Sequence, residues 1–144
     1  MDAKAKQAIY LAEEKRRVTV EEAMARLPSP DGKPFVTVLE YGSLSVEIYA
    51  PRGEDLQQPH ARDEAYVVVQ GSGEFINGKS RQPFGAGDFL FVPAGVEHRF
   101  VKFTDDLIVW VIFYGVEGGE ANAAWSYPNA PPNKSLDVRA KQLA

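Results

Sequence analysis

The sequence predicts an all-β domain, a sandwich or barrel of short strands, carried behind a helical N-terminal extension. Three observations predict it. From Phe35 onward, apolar residues recur with a period of two in short runs. Turn signals stand between the runs: Pro51-Arg52-Gly53, Gly71-Ser72-Gly73, Asn77-Gly78 and Pro93-Ala94-Gly95. Aromatic residues make up 11% of the chain, and they favour pleated, half-buried surfaces. Strands this closely spaced leave no room for the crossover helices of a parallel sheet.

In chain order, Asp2 to Arg17 is rich in Ala, Leu, Glu, Lys and Arg, good helix formers. Ile9 has few apolar companions, so this helix is expected on the surface or docked on a partner. A second helix is expected from Thr19. Thr19-Val20-Glu21-Glu22 reads as a capping box, and Val20, Ala23, Met24 and Leu27 give one apolar face before Pro28. Phe35 to Leu39 reads as a strand. Leu44, Val46 and Ile48 alternate with Ser43, Ser45, Glu47 and Tyr49 in the next one. Further strands are read at Glu64 to Gln70, Glu74 to Ile76, Asp88 to Val92, Glu97 to Phe103 and Leu107 to Tyr114. Asn77-Gly78 is a hairpin turn signal. After Gly118-Gly119 come Pro128, Pro131 and Pro132, which predict an irregular tail with a short helix at Ser135 to Leu143. The chain thus divides into an extension over residues 1–34, a β domain over 35–117 and a tail over 118–144.

Composition excludes several functions. The 144 residues fit one domain with a real core and carry a net charge of -4. No basic stripe suggests nucleic-acid binding. Met1 to Arg17 is too polar for a signal peptide. The longest apolar run, Leu107 to Tyr114, is far too short to span a membrane. There is no cysteine, hence no disulfide, thiolate nucleophile or cysteine-bound zinc. A soluble, cytoplasmic chain is the expectation.

The chemistry centres on the two histidines of the sequence, His60 and His98. With Glu64 they supply two imidazoles and a carboxylate, enough to hold one side of a divalent ion and leave positions open. On a straight strand His60 and Glu64 would stand roughly 13 Å apart, too far for one ion. A shared site therefore requires a bend at Ala61-Arg62-Asp63. Each histidine also has an ordinary reading, as a surface or satisfied core residue. Glu64 could be a surface strand residue, but before an apolar strand it reads as an inward carboxylate that needs a cation. Asp88 reads as a turn cap. Arg99, next to His98, points away from the site by alternation, while the direction of Arg62 is not readable. Tyr66 and Val68 share the parity of Glu64, and Phe100 and Lys102 that of His98. Tyr66, Phe100, Lys102 and Trp110 are therefore expected to line a pocket, with packed core as the alternative for the aromatics. Other chemistries fit less well. Gly71-Ser72-Gly73 is not a nucleophile elbow. Gly73 to Ser80 matches a phosphate-loop string, but Arg81-Gln82-Pro83-Phe84-Gly85 cannot start the helix that such a loop requires.

Two segments together resemble the motifs of the cupin family. Gln58-Pro59-His60, Ala61-Arg62-Asp63, Glu64 and, after six residues, Gly71 follow the first motif, with Gln58 in place of its first histidine. Gly87, Pro93-Ala94-Gly95 and His98 follow the second, with Lys102 in place of its final asparagine. The resemblance implies a double-stranded β-helix, or jelly roll, over the β domain. It implies His60, Glu64 and His98 as three ligands of one divalent metal ion (Fe, Zn, Mn or Ni). Gln58 stands as a neutral, weaker fourth candidate. It further implies a metal-dependent oxygenase, isomerase or lyase acting on a small polar or anionic organic molecule. The alternatives are a non-catalytic cupin that binds or senses a small molecule and a purely structural module. A homodimer paired through sheet edges is expected, with the N-terminal helix reaching a neighbour.

Overall fold

The computed structural model describes residues 11–122. Eight strands lie among them: β1 (Phe35–Tyr41), β2 (Leu44–Tyr49), β3 (Asp63–Gln70), β4 (Gly73–Asn77), β5 (Ser80–Phe84), β6 (Phe89–Val92), β7 (His98–Val101) and β8 (Ile108–Tyr114). Every ladder is antiparallel. The strands form a five-stranded sheet, β1-β2-β8-β3-β6, and a three-stranded sheet, β5-β4-β7. The all-β expectation holds. Closure does not: among the described residues no ladder joins the two sheets, so this is a two-sheet sandwich and not a closed barrel.

The helical extension is also smaller than expected. The described part of the first helix is one 3-10 turn, Glu13–Arg16; the rest lies outside the described residues, as does the helix expected at Ser135 to Leu143. The second helix, α1 (Val20–Met24), carries the expected capping box. Thr19 Oγ1 accepts from the Glu22 backbone N–H at 3.1 Å, and Glu22 Oε2 accepts from the Thr19 N–H at 3.3 Å. No helix among the described residues is long and apolar enough to cross a membrane.

The larger sheet is buried on both faces. Its inner face contributes Tyr49, Tyr66, Val68, Val109 and Val111 to a core closed from the smaller sheet by Phe75, Phe84 and Phe100. Its outer face is covered by Val18, Val20, Ala23, Met24 and Leu27, which pack on Val36, Val38, Ile48, Ile108 and Trp110. Strand alternation explains the split, since Ile48 and Tyr49 point to opposite faces. In β2 the apolar series thus faces the helix, and the series holding Ser45 and Glu47 faces the interior.

The phosphate-loop string Gly73 to Ser80 is a hairpin, β4–turn–β5, with no helix after it. Gly71, the last residue of the first motif, has φ +93 and a space that admits no side chain. A Cβ there would lie 2.8 Å from the Leu107 Cα, closer than packed atoms allow. Asp88 caps its turn by accepting from the Gly85 N–H at 2.8 Å.

Candidate metal centre

Three segments converge at one end of the sandwich. His60 ends the irregular stretch after β2. Ala61 and Arg62 form a bend, and β3 begins at Asp63. The bend is held from several sides. The Gly95 N–H donates to the His60 carbonyl at 2.7 Å, and the Gly118 N–H donates to the Ala61 carbonyl at 2.6 Å. The buried Asp63 carboxylate accepts from Ala94 N–H and Glu120 N–H, both at 2.9 Å. One carboxylate thus ties the start of β3 to the turn before β7 and to the segment after β8. Gly95, at φ +81, takes the left-handed conformation that lets this turn reverse and deliver His98.

His60, Glu64 and His98 each offer a ligand atom, and these atoms lie within 4.8 Å of one another. His60 Nε2 is 3.5 Å from Glu64 Oε2, and His98 Nε2 is 2.9 Å from Glu64 Oε1. Glu64 and His98 are buried, whereas His60 is partly open, with 35% of its side chain exposed. The His98 Nδ1 lies 2.9 Å from the Val96 carbonyl. A carbonyl only accepts, so Nδ1 carries a proton there, and Nε2 is the ring atom turned toward Glu64.

Glu64 Oε2 and His98 Nε2 are buried and have no hydrogen-bond partner. Leaving such atoms bare costs about 1–3 kcal/mol each. A cation between them would satisfy both, and two imidazoles with one carboxylate suit a divalent transition ion. The residues therefore fit a metal. Burial pulls the His98 pKa down, but the Glu64 carboxylate and the Val96 carbonyl outweigh it, and the net shift is upward. For His60, burial wins over the attraction of Glu64, and its pKa falls.

A buried chain of hydrogen bonds orients Glu64. The Tyr66 hydroxyl lies 2.9 Å from Glu64 Oε1 and 2.6 Å from Gln57 Oε1. The Gln57 amide nitrogen donates to Asp55 Oδ2 at 2.9 Å. Asp55, also buried, accepts from the Tyr49 hydroxyl at 2.6 Å and the Phe100 N–H at 2.9 Å. Burial, then the neighbouring Glu64, pushes the Tyr66 hydroxyl well above its ordinary pKa, so it stays protonated.

A cavity of about 520 Å³ opens beside His60. Tyr49, Val111, Phe113 and Phe35 form its apolar wall, Glu47 stands within it, and Lys33, Glu54 and Gln58 belong to its lining.

The structure relocates several expected residues. Gln58 is exposed at the rim; the neighbouring Gln57 holds the inward hydrogen bonds. Phe100 is buried against Tyr66, Phe75 and Phe84 and belongs to the core beneath the site, not to the cavity wall. Tyr66 is likewise fully buried and reaches the site through its hydroxyl. Lys102 is exposed: β7 ends at Val101 and Lys102 has φ 49, so strand parity no longer applies to it. Trp110 packs on the outer face, and its neighbours Val111 and Phe113 face the cavity instead. Arg99 is exposed, as alternation predicts. Arg62 donates to the Ser43 carbonyl and lies 5.8 Å over the Phe113 ring, which gives it a structural role. Asp55, Gln57 and Glu47 were not legible as site residues. The first two lie in an aperiodic loop, and Glu47 carried a signal only in the polar half of an alternating strand.

Residues 45–114 match the family model described as "Cupin domain". The sequence is 35% identical over 96 residues to an uncharacterised protein of Streptomyces coelicolor, covering 65% of this chain and 90% of that one. The chain belongs to the cupin superfamily. Solved cupins share its fold. A cupin-2 domain protein of Shewanella frigidimarina aligns with a TM-score of 0.55 at 16% identity, over 72% of this chain and 100% of that one. A cupin 2 conserved barrel protein of Salinispora arenicola aligns with a TM-score of 0.54 at 20% identity, over 69% and 87% of the two chains. In this cupin the two motif histidines meet across the sandwich, one before β3 and the other on β7.

Proposed function

We propose that this cupin holds one divalent ion, Fe, Zn, Mn or Ni, on His60, Glu64 and His98, and that it is a metal-dependent enzyme for a small polar organic molecule. The observation that carries the reading is the pair of buried atoms without a hydrogen bond, Glu64 Oε2 and His98 Nε2, in one cluster with His60 beside an open cavity. When bound, such an ion supplies Lewis acidity or a position for oxygen. The chain's own residues do the rest. Tyr66 and Gln57 fix the Glu64 carboxylate, the Val96 carbonyl fixes the His98 tautomer, and Phe113 and Val111 shield one side of the site from water. The cavity lining holds two carboxylates and one ammonium, which favours a polar over an anionic substrate. Oxygenase, isomerase and lyase chemistry all remain within reach of this ligand set.

The test is reconstitution of the metal-free protein with each of the four ions, followed by metal analysis. One ion per chain is expected for wild type, and Glu64→Gln and His98→Ala should each lose it. Failure of wild type to retain any of the four would refute the site. Ligand-induced stabilisation without turnover of any substrate would instead favour a binding or sensing cupin.

A further inference from the structure

Glu47 is the one carboxylate on the inner face of β2, and the metal site does not use it. Its neighbours across the sheet are Thr37 on β1 and Val111 on β8. It belongs to the lining of the cavity with Tyr49, Phe113 and Phe35. No lysine or arginine among the described residues forms an ion pair with it. Lys33 lines the same cavity, but it is exposed and sits 5.8 Å over the Phe35 ring. A carboxylate on an apolar wall, without a cation, is costly unless a ligand supplies one.

We propose that Glu47 makes this cavity selective for a small organic cation, a primary amine on an apolar or aromatic body. The ammonium would donate to the Glu47 carboxylate, while Tyr49, Val111 and Phe113 enclose the body. Charge-assisted hydrogen bonds are the strong ones, and the polar lining offers no arginine fork for a carboxylate or phosphate ligand. Burial first, and the Glu64 charge second, resist ionisation of Glu47; an ammonium beside it relieves both. The inference rests on the cavity beside His60 being the ligand site of the proposed function, but not on a metal being bound.

The test uses the full chain in the presence of a chelator, with benzylamine, benzyl alcohol and benzoate as probes in calorimetric titrations. Benzylamine should bind about tenfold more tightly than either of the others. Glu47→Gln should reduce that preference to about twofold or less, a loss in the range expected for one ionic contact. His98→Ala should keep the preference, and a metal titration of Glu47→Gln should still give one ion per chain. Benzoate or benzyl alcohol binding as tightly as benzylamine, a preference that survives Glu47→Gln, or no binding of any probe would overturn the inference. Loss of metal uptake in wild type with the amine preference intact would overturn the metal reading alone.

Discussion

Glu64 is a buried carboxylate whose fixed neighbours are a hydrogen-bond donor and imidazoles, and among the described residues no lysine or arginine pairs with it. Its orientation depends on Tyr66. Tyr66→Phe removes the one hydroxyl proton shared between the Gln57 and Glu64 oxygens, while ring packing against Phe75 and Phe100 is kept. Metal affinity should fall about 10–100-fold, as for other groups that orient a ligand. The metal-free protein should lose about 1–2 kcal/mol. Calorimetric metal titration and urea unfolding of the same variant separate the two effects; unchanged affinity would show that Tyr66 does not position Glu64. Glu47 gives a second prediction, in pH. Burial and Glu64 raise its pKa above the ordinary 4.5, against a lowering by Thr37. The native state therefore binds this proton more tightly than the unfolded chain does. The sign follows: stability from this group is fully present below pH 4.5 and is lost as pH rises through the native pKa. Lys33 and Glu54 belong to the lining of the same cavity, so the prediction is a difference between two proteins that share them. Glu47→Gln should melt higher than wild type at about pH 7, and the gap should close by about pH 4. An equal gap at both values would contradict it.

At the scale of the element, β2 and β8 decide what faces the cavity. Ile48 pairs with Trp110, and Glu47 pairs with Val111; adjacent pairs point to opposite faces. Trp110→Ala should therefore cost about 2–4 kcal/mol by opening the core under α1, with metal affinity unchanged. A weakened metal site in that variant would return Trp110 to the cavity wall. Much of this organisation was readable in advance. β2, β3 and β8 announced themselves by alternation or apolar runs, and Thr19 with Glu22 announced α1. The bend at Ala61-Arg62 followed from the distance between His60 and Glu64 on a straight strand. Parity gave Tyr66 and Val68 their inner face correctly. It failed for Lys102, because the strand stops one residue earlier and the backbone turns left-handed. It failed for Trp110, because a sheet buried on both faces makes either series of β8 look like core. Gln57 and Asp55 had no periodicity to expose them. Their placement depends on contacts with Tyr49, Tyr66 and Phe100 that are distant in sequence.

For the whole molecule, the sandwich leaves edges that a closed barrel would not have. Among the described residues, the larger sheet ends on β1 and β6. An open edge is a template for pairing unless it is covered or charged. Phe89, at the start of β6, is 64% exposed, and Val116 beyond β8 is 51% exposed. We propose that a second copy of the chain covers part of this surface, giving a homodimer. The exposed Phe89 supports this over a monomer, since a large exposed apolar side chain invites association. A pair related by a two-fold axis would bring the same edge of each copy together. Light scattering should then give twice the 15.9 kDa chain mass. Phe89→Lys, which places a charge on the edge, should shift the population toward the single chain without unfolding it. A mass of one chain at every concentration would overturn the dimer. An unchanged dimer in Phe89→Lys would move the interface elsewhere on the molecule.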